Sequence, residues 1–315
     1  MTGPQPLSPV ATRAGLLVIA LAAAWLVAVP CARAEDPPGA PSAPGASSAT
    51  PAPAAEPDDL EVDSSEPDFN VITLPTNLRV PRHRLAFRLT HRFSRALGGG
   101  DFGDLLSDFF GFDGGAQIGL GLRFGLFSGT QLAFYRASDR TIQLSVQQEL
   151  LREEGHAVGL SAVASVEGLQ NFGLSADDTF PAEYSPAISL VVSRKLGTHG
   201  ALYAVPTWVG NTNVTAEDVT TDNSTLMLGL GARLLVRRSV ALVAEYHPRL
   251  AGNKGNRGSG DPASLLSFGI EKRVGGHAFQ LNFSNDLGTT PAQTARGQQG
   301  GDDWFIGFNI SRKFY

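Results

Sequence analysis

From Leu85 to the end of the chain, apolar residues recur at every second position in short runs separated by Gly-, Asp- and Asn-rich turns. A period of two is the mark of a β-strand with one apolar face. Twelve runs follow this rule, among them Leu85/Phe87/Leu89, Ile118/Leu120/Leu122/Phe124, Ile142/Leu144/Val146, Phe279/Leu281/Phe283 and Trp304/Ile306/Phe308/Ile310. The alternate positions are small or polar: Gly119, Gly121 and Arg123 in the second run, Gln143, Ser145 and Gln147 in the fourth, Asn309, Ser311 and Lys313 in the last. The seventh run, Ala201 to Val209, is apolar at both sets of positions, and its frame stays open.

Two architectures share this alternation. A soluble sandwich buries the apolar face; a membrane barrel turns it to lipid and keeps the polar face inside. The connections separate them. Turns such as 127–129, 197–200, 237–239 and 274–276 are short, and they alternate with long stretches at 94–115, 169–185, 210–223, 249–263 and 286–303. The segment 137–140 is the one short connection where a long one is due. Transmembrane barrels have short periplasmic turns and long external loops. The pattern predicts an all-β, antiparallel up-and-down transmembrane barrel of about 12 strands over residues 85–315, an even count that places both ends of the barrel domain on one side.

The polar set then faces the lumen: Arg88, Arg92, Arg123, Gln143, Gln147, Glu167, Arg233, Glu245 and Asn309. Leu120 is expected to meet lipid and Gly121 the lumen. Trp304 and Phe314 fall at opposite ends of the last strand, as members of aromatic girdles. Tyr315 lies one step outside the aromatic frame of that strand. Seven basic positions against four acidic ones on the inferred inner face predict a weak anion preference for any pore; they are Arg88, Arg92, Arg123, Lys195, Arg233, Arg273 and Lys313 against Glu149, Glu167, Glu245 and Glu271.

Upstream of the barrel the texture changes twice. Arg13 followed by the apolar stretch 15–30 and by Ala32-Arg33-Ala34 reads as a signal peptide over 1–34, cleaved after Ala34. The apolar stretch is shorter than the ~20 residues that span a bilayer as a helix. Residues 35–67 carry eight prolines among small and acidic residues and read as a disordered linker. Residues 68–84 are left as a periplasmic lead-in to the first strand. Charged residues make up 17% of the chain, against ~25% in soluble domains, which suits the lipid-facing reading. A single Cys excludes an internal disulfide scaffold, and a net charge of −5 gives no basic balance for nucleic acid.

Two stretches carry a resemblance. Residues 80–100, VPRHRLAFRLTHRFSRALGGG, and 104–125, DLLSDFFGFDGGAQIGLGLRFG, hold His91-Arg92-Phe93 and Phe110-Gly111-Phe112-Asp113-Gly114-Gly115. This pattern resembles a bacterial family of β-barrel proteins of unknown function. The ending WFIGFNISRKFY is similar to the C-terminal strand of bacterial outer-membrane barrels. The resemblance implies a fold and a location, the outer membrane of a Gram-negative bacterium, and no activity.

Candidate chemistry is sparse. Leu105, Leu106, Phe109 and Phe110 form one apolar stripe in 101–112, which predicts a short amphipathic helix in the first external loop. It either constricts the mouth or rests at the rim against lipid headgroups, the second being the commoner arrangement. The glycines of 119–125 lie within a strand rather than at a strand-to-helix turn, so they are no nucleotide loop. The six histidines show no metal-ligand spacing and no serine motif accompanies them, so neither a metal, a cofactor nor a catalytic residue is assigned. Acidic pairs at 177–178, 217–218 and 302–303 read as solvated loop charge, with divalent-ion bridging to lipopolysaccharide as the alternative. The expected function is a porin-like passive channel for small polar solutes. A non-conducting structural or adhesive barrel is the first alternative and a lipid-modifying enzyme the second. Expected partners are outer-membrane lipid, lipopolysaccharide and the barrel-assembly machinery, with no nucleic acid.

Overall fold

The computed structural model describes residues 66–112, 114–168, 184–212, 223–253, 264–297 and 303–315. The signal segment, residues 35–65 of the linker and the acidic pairs at 177–178 and 217–218, with Asp302, lie outside them. The alternating runs become one antiparallel sheet. Its strands are β1 (Leu85–Phe93), β2 (Ala116–Phe127), β3 (Thr130–Ala137), β4 (Ile142–Leu151), β5 (Gly159–Gly168), β6 (Tyr184–Lys195) and β7 (Gly200–Gly210). They continue as β8 (Ser224–Arg237), β9 (Val240–His247), β10 (Arg249–Gly252), β11 (Leu265–Val274), β12 (His277–Ser284) and β13 (Phe305–Lys313). From β1 to β9 each strand pairs with the next, β9 pairs with β11, β11 with β12, β12 with β13 and β13 with β1, while β10 pairs with β8 alone. The sheet therefore closes on itself. Pro248, which has no N–H to give, separates β9 from β10, and the two form one stave opposite β8. The barrel thus has the twelve staves the sequence predicts.

Closure matters because a strand edge in lipid leaves backbone N–H and C=O groups without partners. The faces are inverted relative to a soluble protein. Leu122, Phe124, Phe134, Leu144, Ile188, Leu242, Phe268 and Ile270 are exposed on the outside, while Arg92, Gln131, Glu167, Arg233, Glu245 and Asn309 are buried inside. An outer belt of this kind excludes the soluble sandwich, because water would oppose it at about 25 cal/mol per Å². Leu120 faces outward as expected, but its register partner on β3 is Arg136, which marks a level nearer the rim. Leu122 pairs instead with Phe87 and Phe134, in the middle of the apolar belt.

Phe314 is exposed beside Arg312, whose guanidinium sits 5.3 Å from its ring. Trp304, at the other end of β13, packs 5.5 Å from the Phe268 ring. Tyr315 departs from the outward frame because it turns inward onto the cluster of Phe69, Val80 and Ala86. The seventh run is now explained: in β7 Ala201, Tyr203, Val205 and Val209 point inward and are buried, while Pro206 and Trp208 point out. Its inner face is apolar because something apolar lies against it.

That something corrects the reading of residues 68–84. The lead-in expected in the periplasm runs inside the ring, from Glu66 to Val80, with Val71 and Ile72 completely buried. The helix predicted in the first loop forms as α1 (Phe102–Ser107), followed by a 3-10 turn at Phe109–Gly111. Asp101 and Asp104 cap its N-terminus reciprocally, at 2.9 and 3.0 Å. No residue of α1 is buried, so it rests at the rim and does not constrict the mouth.

Candidate functional site

The lumen holds an internal plug. Residues 69–76 fold back on themselves, with Val71 N–H donating to Leu74 O at 2.8 Å and Thr76 N–H to Phe69 O at 3.0 Å. Asn70 fixes the turn by donating through Nδ2 to Thr73 O at 2.7 Å. The tip, Ile72-Thr73-Leu74, presents three successive amides to one carboxylate. Glu245 of β9 accepts from Ile72 N at 3.1 Å, Thr73 N at 2.9 Å and Leu74 N at 2.9 Å, and from the Thr73 hydroxyl. Consecutive amides turned toward one point form an anion-binding concavity, here filled by a side chain of the wall.

The plug carbonyls are met by wall donors. Gln280 donates to Val71 O, Arg88 and Asn309 to Ile72 O, Arg233 to Asn70 O, Gln147 to Thr76 O and Gln131 to Leu78 O, at 2.5 to 3.3 Å. These donors come from six strands around the ring, β1, β3, β4, β8, β12 and β13. On the remaining side, Val71, Ile72 and Leu74 pack on Val191, Ala201, Tyr203, Val205 and Val243. Two inward glycines of β8 make room. A Cβ on Gly229 would fall 2.2 Å from Leu74 Cδ1, and one on Gly231 2.7 Å from Leu74 Cδ2.

The residues inferred to line a wet lumen therefore do face inward, but most of them grip protein. Arg88, Gln147, Arg233, Glu245 and Asn309 hold the plug directly. Arg92 donates to Asn309 Oδ1 at 3.0 Å and Arg123 to Gln147 Oε1 at 3.1 Å. Gln143, with Ser145, Thr289 and Tyr135, lines a residual cavity of about 90 Å³ between plug and wall. Glu167 belongs to a second closure.

That closure is α2 (Pro291–Arg296), in the long loop between β12 and β13, with five of its six residues buried. Thr290 caps it, Pro291 begins it and Gly297, in the left-handed region at φ 65°, ends it. Glu167 accepts from Arg296 Nη1 at 2.7 Å and from the Thr290 hydroxyl, and Arg296 Nη2 donates to Ser185 at 2.6 Å. Gln293 donates to Asp139 at 2.9 Å. Tyr135 bridges the loop to the wall through Thr289 at 2.7 Å and Thr90 at 2.8 Å.

Two of the basic groups that sequence reasoning counted toward a pore are paired with carboxylates within the lumen. Arg233 pairs with Glu271 at 3.0 Å, and Arg88 with Asp68 of the plug at 3.0 Å. Glu66, at the start of the plug, accepts from Asn77 N at 3.0 Å. Burial pushes its carboxyl up from an ordinary 4.5 to about 6, opposed by the charges of Lys195 and Arg233. A raised acid stabilises the docked plug fully below about pH 4.5, and that contribution is lost as pH rises through about 6. Thermal midpoints measured from pH 4 to 8 should fall across this window in the wild type, and the fall should flatten in Glu66→Gln.

Residues 68–314 match a family described as a membrane-bound beta barrel domain. No curated protein matches the chain. Among solved structures, the chain is similar to the COG4313 outer membrane channel of Pseudomonas putida F1, at 10% identity over 75% of this chain and 97% of that one, with a TM-score of 0.42. An active-site variant of outer membrane phospholipase A from Escherichia coli gives 9% identity over 80% and 98%, with a TM-score of 0.39. OmpF of Salmonella typhi gives 10% over 73% and 97%, at 0.36.

Proposed function

This chain belongs to the DUF5777 family of membrane-bound β-barrel domains, and from that premise we propose that it is a porin-like outer-membrane channel for small polar solutes, held shut by its own N-terminal segment. The observation that carries the reading is the chemistry of the grip. Apart from the apolar strip on β6, β7 and β9 and the contact of Ala86 with Phe69 and Val80, the wall holds the plug chiefly through Glu, Gln, Asn and Arg side chains directed at backbone amides and carbonyls. Water can take over each of those hydrogen bonds once the plug leaves, at a net cost of about 0.5–1.5 kcal/mol per bond. A wall built only to be filled needs no such polar grip, as the apolar inner positions Ala201, Tyr203 and Val205 of β7 illustrate. The outer-membrane location and the lipid and assembly partners belong to this proposal. It includes no catalytic step: His91 is packed between the Phe93 and Phe308 rings, at 4.3 and 4.6 Å, and His247 lies beside Glu245.

The second reading is a sealed structural barrel, favoured by the additional closure at α2. Planar-bilayer recording distinguishes the two. The full chain should be silent or open rarely, and a chain with residues 69–80 replaced by a Gly-Ser segment of equal length should give frequent ohmic steps. Silence in both supports the sealed barrel. Steady conductance from the full chain refutes the plug.

A further inference from the structure

The geometry points to a carboxylate-binding subsite inside the lumen, formed by Arg88, Arg123, Lys313 and Ser311 and occupied by the plug's own Asp68. As a selectivity element it rests on the channel reading; as a binding site it does not. Sequence spacing alone hides it, because its members lie at both ends of the barrel domain. Strand register brings them together. Ala86 of β1 lies opposite both Arg123 of β2 and Lys313 of β13, and Arg88, the next inward residue of β1, lies opposite Gly121 and Ser311. Three cations thus share one inner patch on three adjacent strands, spaced about 4.8 Å apart. Like charges so placed repel one another, and the patch needs an anion to be stable.

The plug supplies one. The Oδ2 of Asp68 accepts from Arg88 Nη1 at 3.0 Å and from Ser311 Oγ at 2.8 Å, and its Oδ1 accepts from Phe69 N at 2.8 Å. The next residue completes the arrangement. The Phe69 ring receives the Arg123 guanidinium at 5.1 Å and the Lys313 ammonium at 5.7 Å, both within cation–π range. Asp68 and Phe69 together offer a carboxylate joined to an aromatic face, and the wall recognises both parts. When the plug leaves, this patch loses the Asp68 carboxylate and keeps its three cations. A solute with one carboxylate and a flat apolar body restores the same contacts, so small organic acids are the solute class this lumen selects.

Chemical rescue in the full chain tests the site without requiring conductance. Asp68→Ala removes the carboxylate and leaves space for it, and its thermal transition should fall well below that of the wild type. Sodium acetate in the millimolar range should restore most of the loss, and benzoate should act at lower concentration in Asp68→Ala/Phe69→Ala, where the ring site is vacated too. Sodium chloride at equal ionic strength should restore little. The wild type and Asp68→Ala/Arg88→Gln should not respond. Should Asp68→Ala fail to fold, Asp68→Ser, which keeps a polar group, is read in the same way. Equal responses to acetate and chloride, or an acetate response that persists without Arg88, would overturn the subsite. A barrel that responds to acetate yet never conducts would keep the subsite and remove the channel reading.

Discussion

Glu245→Ala should release the plug. The substitution leaves the amides of Ile72, Thr73 and Leu74 and the Thr73 hydroxyl facing a wall with no acceptor. Each buried donor so orphaned costs about 1–3 kcal/mol, and removing one partner of a buried charged contact costs about 3–5 kcal/mol. The segment avoids part of this cost by undocking and hydrating. The expected loss is therefore capped near the docking energy of the plug, with a barrel that stays folded. Glu245→Gln, which keeps one acceptor oxygen, should fall between wild type and Ala. Chemical denaturation in detergent, followed by tyrosine and tryptophan fluorescence, gives the stability. Protease sensitivity within 66–80 reports the release. An Ala variant with a wild-type denaturation midpoint and a protected segment would mean that Glu245 does not hold the tip.

The second large effect is on the outer face. Leu122→Arg places a charge in the middle of the apolar belt, between Phe87 and Phe134. The cost at mid-bilayer is about 2–4 kcal/mol, and it falls toward zero at the interfaces. Leu120→Arg should cost less, because its neighbour Arg136 already brings a charge to that level. Gln143→Arg should also cost less than Leu122→Arg, since that side chain enters a polar cavity beside Ser145 and Thr289, although Arg88 and Arg123 on the same lining oppose a further cation. Folding yields into lipid vesicles rank the three. If Gln143→Arg proves worse than Leu122→Arg, the register is shifted by one residue and every face is exchanged.

The barrel was legible in the sequence because period two and loop parity are local signals, repeated twelve times. The plug was not, since residues 66–80 contain no repeating pattern and are held by partners far away in the chain. Its imprint was nevertheless present. The inner positions of β7, Ala201, Tyr203 and Val205, are apolar where a wet lumen needs polar groups, and Gly229 and Gly231 leave a hollow that Leu74 and Val71 fill. Tyr315, out of frame for lipid, was in frame for the plug. The mouth helix also left a readable signature, Thr290-Pro291 at its start and Gly297 at its end, inside what periodicity alone treats as loop. The inward direction of Arg88, Arg123 and Lys313 followed from alternation. Their convergence on one anion required the pairing of the first strand with the last, which no local pattern specifies.

Amide hydrogen exchange on the full chain in lipid tests the occupied lumen most directly. If the plug fills the barrel, the amides of residues 71–74, held by Glu245 and by the turn itself, should exchange on the timescale of the central barrel strands. They should accelerate by orders of magnitude in Glu245→Ala while β2 and β13 remain protected. Exchange of residues 71–74 in the wild type at the rate of an unstructured peptide would contradict the account, and would return this segment to the periplasm and the lumen to water.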